Sequence, residues 1–192
     1  MSNTGFWARV ICAGVFVCLF ASCTMTIGRA DRDATLISSD ETYYVIGVHP
    51  DIASIGVNRG SISGDKFVPD QLSLSQNFFG PPEDGYIVSR AHAGETLAII
   101  FASIRRKDAL LASNFVPCDD TRTLAFAVPA GKVIYVGDVY FTQTSDQLPV
   151  SYSKNFDAAK AYMTTHYPRL ADKLEQGNAE MVPAVVQGCR RW

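Results

Sequence analysis

Five cysteines and three histidines carry the most reactive side chains of this 192-residue chain, and their spacing limits the chemistry open to them. Cys12, Cys18 and Cys23 lie near the amino terminus, whereas Cys118 and Cys189 stand far along the chain. His49, His92 and His166 form no HExxH pair, and no Cys and His fall at zinc-site spacing. There is no GxSxG elbow, no GxxxxGK(S/T) phosphate loop and no GxGxxG turn. The adjacent acids Glu83 with Asp84, and Asp119 with Asp120, would hold Ca²⁺ only if carbonyls converged on them. Neighbours on a chain often point apart, so turn chemistry is the better reading of both pairs. Asp138 differs, because its strand "KVIYVGDVYF" is apolar on both faces. An acid there is either a ligand-contacting or catalytic carboxylate of raised pKa, or the partner of a backbone amide at a bulge beside Gly137, and the second is favoured. No catalytic set, no cofactor site and no metal site is expected.

The amino-terminal cysteines answer to a different logic. From Val10 to Ser22 every residue is apolar or small, Arg9 precedes the run, and no acid appears before Asp31. That is the layout of a secretory signal, and the run is shorter than the roughly 20 residues a membrane-spanning helix needs. An uncleaved anchor reaching Ile27 is the second reading. "LFASC", Leu19 to Cys23, resembles the lipobox of bacterial lipoproteins: Ala21, Ser22 and Cys23 match, while Phe20 stands where Leu is usual. The resemblance implies acylation of Cys23, with residues 1–22 removed as a lipoprotein signal peptide and Cys12 and Cys18 discarded with it. Three acyl chains, at roughly 0.8 kcal/mol per buried CH₂, make a permanent anchor. Thr24 stands where an Asp would resemble inner-membrane retention, so an outer-membrane destination facing the periplasm is expected. The plainer alternative leaves Cys23 as a small residue beside an ordinary cleavage site.

Residues 23–192 suffice for one domain with one core. Arg9 is the only charge in the leader, so the formal charge passes from −2 to −3, and no basic field points to nucleic acid. Residues 23–41 read as a polar tether and 42–192 as the domain. In an oxidising envelope Cys118 and Cys189 are most simply a disulfide, with about 4 kcal/mol of stabilisation from the long loop it closes. Asp119 and Asp120 would raise a Cys118 thiol pKa, the wrong direction for a nucleophile.

Tyr43 to about Ser153 is built of short runs rich in Val, Ile, Tyr and Phe. Eight strands are predicted, from "TYYVIGVH" to "PVSYSKN", with breaks at "NRGSISGD", "FFGPPEDG", "HAGE", "RRKD" and "VPAGK". Their spacing predicts a mainly β fold, an antiparallel Ig-like or prealbumin-like β-sandwich, with "KVIYVGDVYF" as a central strand. One segment is helical: Asp157 as N-cap, a stripe of Phe156, Ala159, Met163, Tyr167, Leu170 and Leu174, and a break at Pro168. The prediction is a short helical pair at about 157–176, packed on the sandwich.

"GETLAII", "VPAGKVIYVGDVYF" and an Asp-led helix with "HYPRL" resemble a group of uncharacterised bacterial lipoproteins with a prealbumin-like or carboxypeptidase-regulatory-like sandwich. The resemblance covers the second half of the chain and implies a fold and an envelope location, but no catalytic residues. The expected function is therefore a lipid-anchored, non-enzymatic binding or structural module, joined to the membrane through its anchor and to an envelope protein partner. The alternatives are an envelope hydrolase using Asp138 and a histidine, and a small-ligand or metal carrier. Candidate partner contacts are the ring pair Phe78 and Phe79, expected in an exposed loop, and the tail residues Arg190, Arg191 and Trp192.

Overall fold

The computed structural model describes residues 26–50, 54–70, 76–104, 113–118, 121–142 and 149–186. Seven consecutive residues of β1 (Glu41–His49), Thr42 to Val48, are buried, and all of β9 (Val133–Phe141) except Tyr140 is buried. Strands with no wet face must be covered on both sides, and these two are paired in parallel at the centre of a sheet. That sheet runs β10 (Val150–Ser153), β9, β1, β5 (Tyr86–His92), with β11 (Leu174–Gln176) beside the first half of β9.

A second sheet runs β12 (Ala179–Pro183), β8 (Arg122–Ala127), β6 (Thr96–Ile104), β2 (Ser54–Ser63), β3 (Lys66–Pro69). β4 (Gln76–Gly80) also pairs with β2, and β7 (Ser113–Phe115) with β6. The two sheets enclose the main core, which includes Tyr44, Ile46, Val57, Phe78, Ile99, Leu124, Phe126, Ile134 and Val136. The protein is a mainly β, two-sheet sandwich. Most strand pairs, and all of those between strands of the second sheet, are antiparallel as expected, while β1 with β9 and β9 with β11 are parallel.

The other face of the first sheet is covered by α1 (Phe156–His166) and α2 (Pro168–Ala171). All six residues of the expected stripe lie in this second core, with Tyr43, Val45, Val133 and Tyr135 opposite them. Asn155, not Asp157, caps α1: its side chain accepts from the Ala158 amide at 3.2 Å, and Asp157 sits in the first turn. α2 also ends earlier than predicted, because Leu174 to Gln176 pair with Val133 to Tyr135 and satisfy an otherwise open edge of β9. Among the described residues no helix is long and apolar enough to cross a membrane.

Two further differences concern the amino-terminal half. "NRGSISGD" continues as strand to Ser63, because β2 pairs with β6 on one side and with β3 and β4 on the other, outweighing its Gly and Ser content. The expected tether is docked over its described part: Ile27 bridges Phe79, Arg29 bridges Ser89, and Ala30, Ala34 and Leu36 pack on the helical core. Glu83 receives the guanidinium groups of both Arg29, at 3.1 Å, and Arg32. Tyr167 donates to the Ala30 carbonyl at 3.4 Å, closing this strap against the helices.

The pairing of β9 with β1 shifts at Val136, which is left opposite no residue: Val45 faces Tyr135 and Ile46 faces Gly137. Gly137 adopts φ +139°, and the Tyr152 ring occupies the place a β-carbon would take there. Replacing Gly137 by Ala adds backbone strain to a steric clash, so a loss of about 2–4 kcal/mol is expected in urea unfolding. A change below about 0.5 kcal/mol, within the range of ordinary surface substitutions, would show that the bulge tolerates a side chain.

Candidate functional site

The bulge decides where Asp138 points. Tyr135 lies on the helix side of β9, and after the extra residue Asp138 returns to that side, while Val136, Val139 and Phe141 face the main core. Asp138 pairs in register with Gly47 on β1, and its Oδ1 fills the space where a Gly47 β-carbon would stand. No other residue fits at position 47 without displacing the acid. The Asp138 side chain is 1% exposed, and Oδ1 has no hydrogen-bond partner among the described residues.

The Tyr135 hydroxyl and the Asn155 amide both favour the charged form of the carboxyl, and that amide donates to the Tyr135 hydroxyl at 2.8 Å. Tyr152 lies beside them, donating to the Val136 carbonyl at 2.6 Å. Burial raises the Asp138 pKa above the ordinary carboxylate range, while the Tyr135 bond and the His49 imidazole oppose it. Removing a carboxylate from water costs several kcal/mol, and one hydrogen bond to a charged group returns only about 1.5–3 kcal/mol, so desolvation wins. The same acid helps to raise the phenols around it: Tyr86 is pushed up to about 12, first by burial and then by Asp138, and Tyr135 and Tyr152 rise for the same two reasons, with a Tyr135–Asp138 hydrogen bond adding to the first.

Aromatic rings close the surroundings. His49 stacks on Tyr140 with centroids 4.5 Å apart and planes 14° apart. Tyr86 stacks on Tyr162 at 4.5 Å, and Tyr162 on His166 at 4.5 Å. His166 Nε2 lies 3.5 Å from Asp84 Oδ2, an ion pair when the imidazole is protonated. Chemically, the cluster can hold a strand rigid around an acid whose proton is released later than that of an exposed Asp. A general acid must reach its substrate, and at 1% exposure Asp138 does not.

The sequence candidates are dispersed. Glu83 and Asp84 serve different partners, Arg29 with Arg32 and His166, rather than one cation. No group of three or more His, Cys, Asp or Glu suited to a metal occurs among the described residues. Phe78 is fully buried in β4 under the Arg29 guanidinium, and Phe79 is half-buried against Phe101, so the expected exposed ring pair in a loop is corrected: "FFG" is strand. Cys118 is disulfide-bonded, and no other described residue is a cysteine. Cys23, Cys189, Arg190, Arg191, Trp192, Asp119, Asp120 and the "RRKD" turn lie outside the described residues.

A cleft of about 480 Å³ runs beneath the amino-terminal strap, with Arg29, Arg59, Arg90, His92 and Asn77 in its wall. Its arginines face Glu83, Glu95 and Glu41 at 3.1, 2.9 and 2.9 Å, so the wall offers an anion no unopposed guanidinium. Sequence reasoning found Asp138 and the bulge but missed Gly47, Tyr135, Tyr152 and Asn155 around it. A glycine amid the bulky residues of "TYYVIGVH" was the available signal. Comparison with protein-family models, curated proteins and solved structures finds no match.

The raised pKa of Asp138 fixes a pH dependence. Above the ordinary Asp value of about 3.9 the unfolded chain has released this proton while the folded chain still holds it, so stability falls with rising pH until the folded pKa is passed. Asp138→Asn removes that fall. Urea unfolding across pH 4–8 is expected to show a wild-type decline that the variant lacks; parallel profiles would contradict a raised Asp138 pKa.

Proposed function

We propose that this protein is a lipid-anchored, non-enzymatic module of the bacterial cell envelope, held at the outer membrane, facing the periplasm and binding another envelope protein. The observation that carries the reading is "LFASC" at the end of the apolar run Val10 to Ser22. Cys23 is the acylated residue, residues 1–22 are the signal peptide, and a Cys118–Cys189 bridge suits the oxidising compartment. The second-half resemblance to sandwich lipoproteins supports the same address. The enclosure of Asp138 supports a binding or structural role over catalysis. The mechanism is tethering, which raises local concentration at the membrane, combined with recognition through loops or a sheet edge.

One observation favours a hydrolase as the second reading: His49 lies two residues beyond Gly47, the register partner of Asp138, so both side chains belong to the same face of the sheet. In that reading His49, half-buried at the strand end, does the chemistry and Asp138 positions it. A carrier would use the cleft beneath the strap.

Intact mass of the protein purified from membranes under non-reducing conditions tests the first reading. A chain beginning at Cys23, carrying acyl mass and two hydrogens short for a Cys118–Cys189 bridge, is expected. Cys23→Ala is expected to leave the membrane fraction while retaining wild-type circular dichroism. A folded variant that stays membrane-bound would instead identify an uncleaved helix.

A further inference from the structure

The strap places an uncharged apolar face where the chain arrives from its anchor. Ile27 and Phe79 exchange both backbone hydrogen bonds, at 2.8 and 3.1 Å, so Ile27 extends the sheet beyond β4. Residues opposed in this way carry their side chains on one face. Phe78 points into the main core, which puts Phe79 and Ile27 on the outside of the second sheet.

Gly56 lies beneath this face. A β-carbon there would stand 3.2 Å from Phe101 Cβ and 3.6 Å from both Phe79 Cδ2 and Gln76 Nε2, so these three side chains gather over one flat position. The Phe79 and Phe101 rings are 6.0 Å apart, both half-buried, and Ile27 is 37% exposed. Thr26 lies alongside, its side chain against Gly80. Thr26, Ile27, Gln76, Phe79 and Phe101 bear no charge.

We infer that this face, Ile27–Phe79–Phe101, lies against the lipid bilayer that holds the anchor. The inference rests on acylation of Cys23. From Cys23 to Thr26 the chain has three residues to cross, a reach of at most about 11 Å when fully extended. A domain fixed so closely must turn some surface to the membrane, and the strap decides which, since Ile27 is already bonded into the sheet. The occupant is thus a lipid surface. Aromatic rings and an aliphatic side chain suit its interfacial zone, and the absence of a carboxylate in this set removes the repulsion an anionic headgroup would feel.

The test uses the acylated full-length product in phosphatidylcholine–phosphatidylglycerol vesicles whose acyl chains carry bromine, a quencher of tryptophan emission. In a Trp192→Phe background, with Trp7 lost with the signal peptide, Phe101→Trp reports from the proposed face. Ala130→Trp reports from beyond the other end of β6, where Thr96 pairs with Ala127. At about 3.4 Å per residue the five steps from Phe101 to Thr96 separate the two probes by about 17 Å or more. Quenching at least twofold stronger for Phe101→Trp is expected. Equal quenching of the two probes in protein that floats with the vesicles and carries acyl mass at Cys23 would overturn the apposition and leave the lipoprotein reading standing. Absence of acyl mass would overturn both. Should Phe101→Trp fail to fold, Ile27→Trp reads the same face and is held to the same outcomes.

Discussion

The architecture depends on one irregularity, the extra residue at Val136 in β9. Without it, the alternation of a strand would send Asp138 into the main core between the sheets, with Ile134 and Val136. With it, the phase reverses. Val139 and Phe141 fill the main core, and Asp138 meets Tyr135, Asn155 and Gly47 on the other face. Gly137 supplies the left-handed backbone that the reversal requires, and Tyr152 on β10 lies across it. The acid, two glycines and two tyrosines form a single mechanical unit at the end of the central strands.

That unit links the layers. Tyr135 belongs to the core beneath the helices and also takes the amide of Asn155, which caps α1. The start of the helix is thereby joined to the bulge, and the helix covers the face that β1 and β9 would otherwise expose. The amino-terminal strap completes the cover from the far side, with Arg29 and Arg32 on Glu83 and the Ile27–Phe79 bridge at its beginning. From Thr26 onward the chain is part of the folded body, so an anchor at Cys23, as proposed, would stand three residues from it.

Much of the sandwich is legible in the sequence because its signals are local. Eight strands were marked by β-branched and aromatic runs between turn residues, and the helical stripe by its spacing. β4, β7, β11 and β12 were not, since three to five residues such as "QNFFG" or "LEQ" carry no periodicity and become strands by completing a neighbour's edge. Parallel pairing was equally hidden: nothing local in β1 says that it will lie beside a strand some ninety residues away. Of the site, Asp138 was visible as a charge in an apolar run, with a bulge expected beside Gly137. Its true neighbours, Gly47 and Asn155, come from β1 and the helix cap, and only the fold brings them together.

A closed-in Asp138 of raised pKa bears on the two functional readings, because it fits an acid that holds the fold, and at 1% exposure it does not itself meet a substrate. The direct measurement is the carbon-13 resonance of the Asp138 side-chain carboxyl followed through a pH titration, assigned by its disappearance in Asp138→Asn. This account predicts a midpoint clearly above the ordinary Asp value of about 3.9. A midpoint at or below that value would show a solvated or ion-paired carboxylate and contradict it.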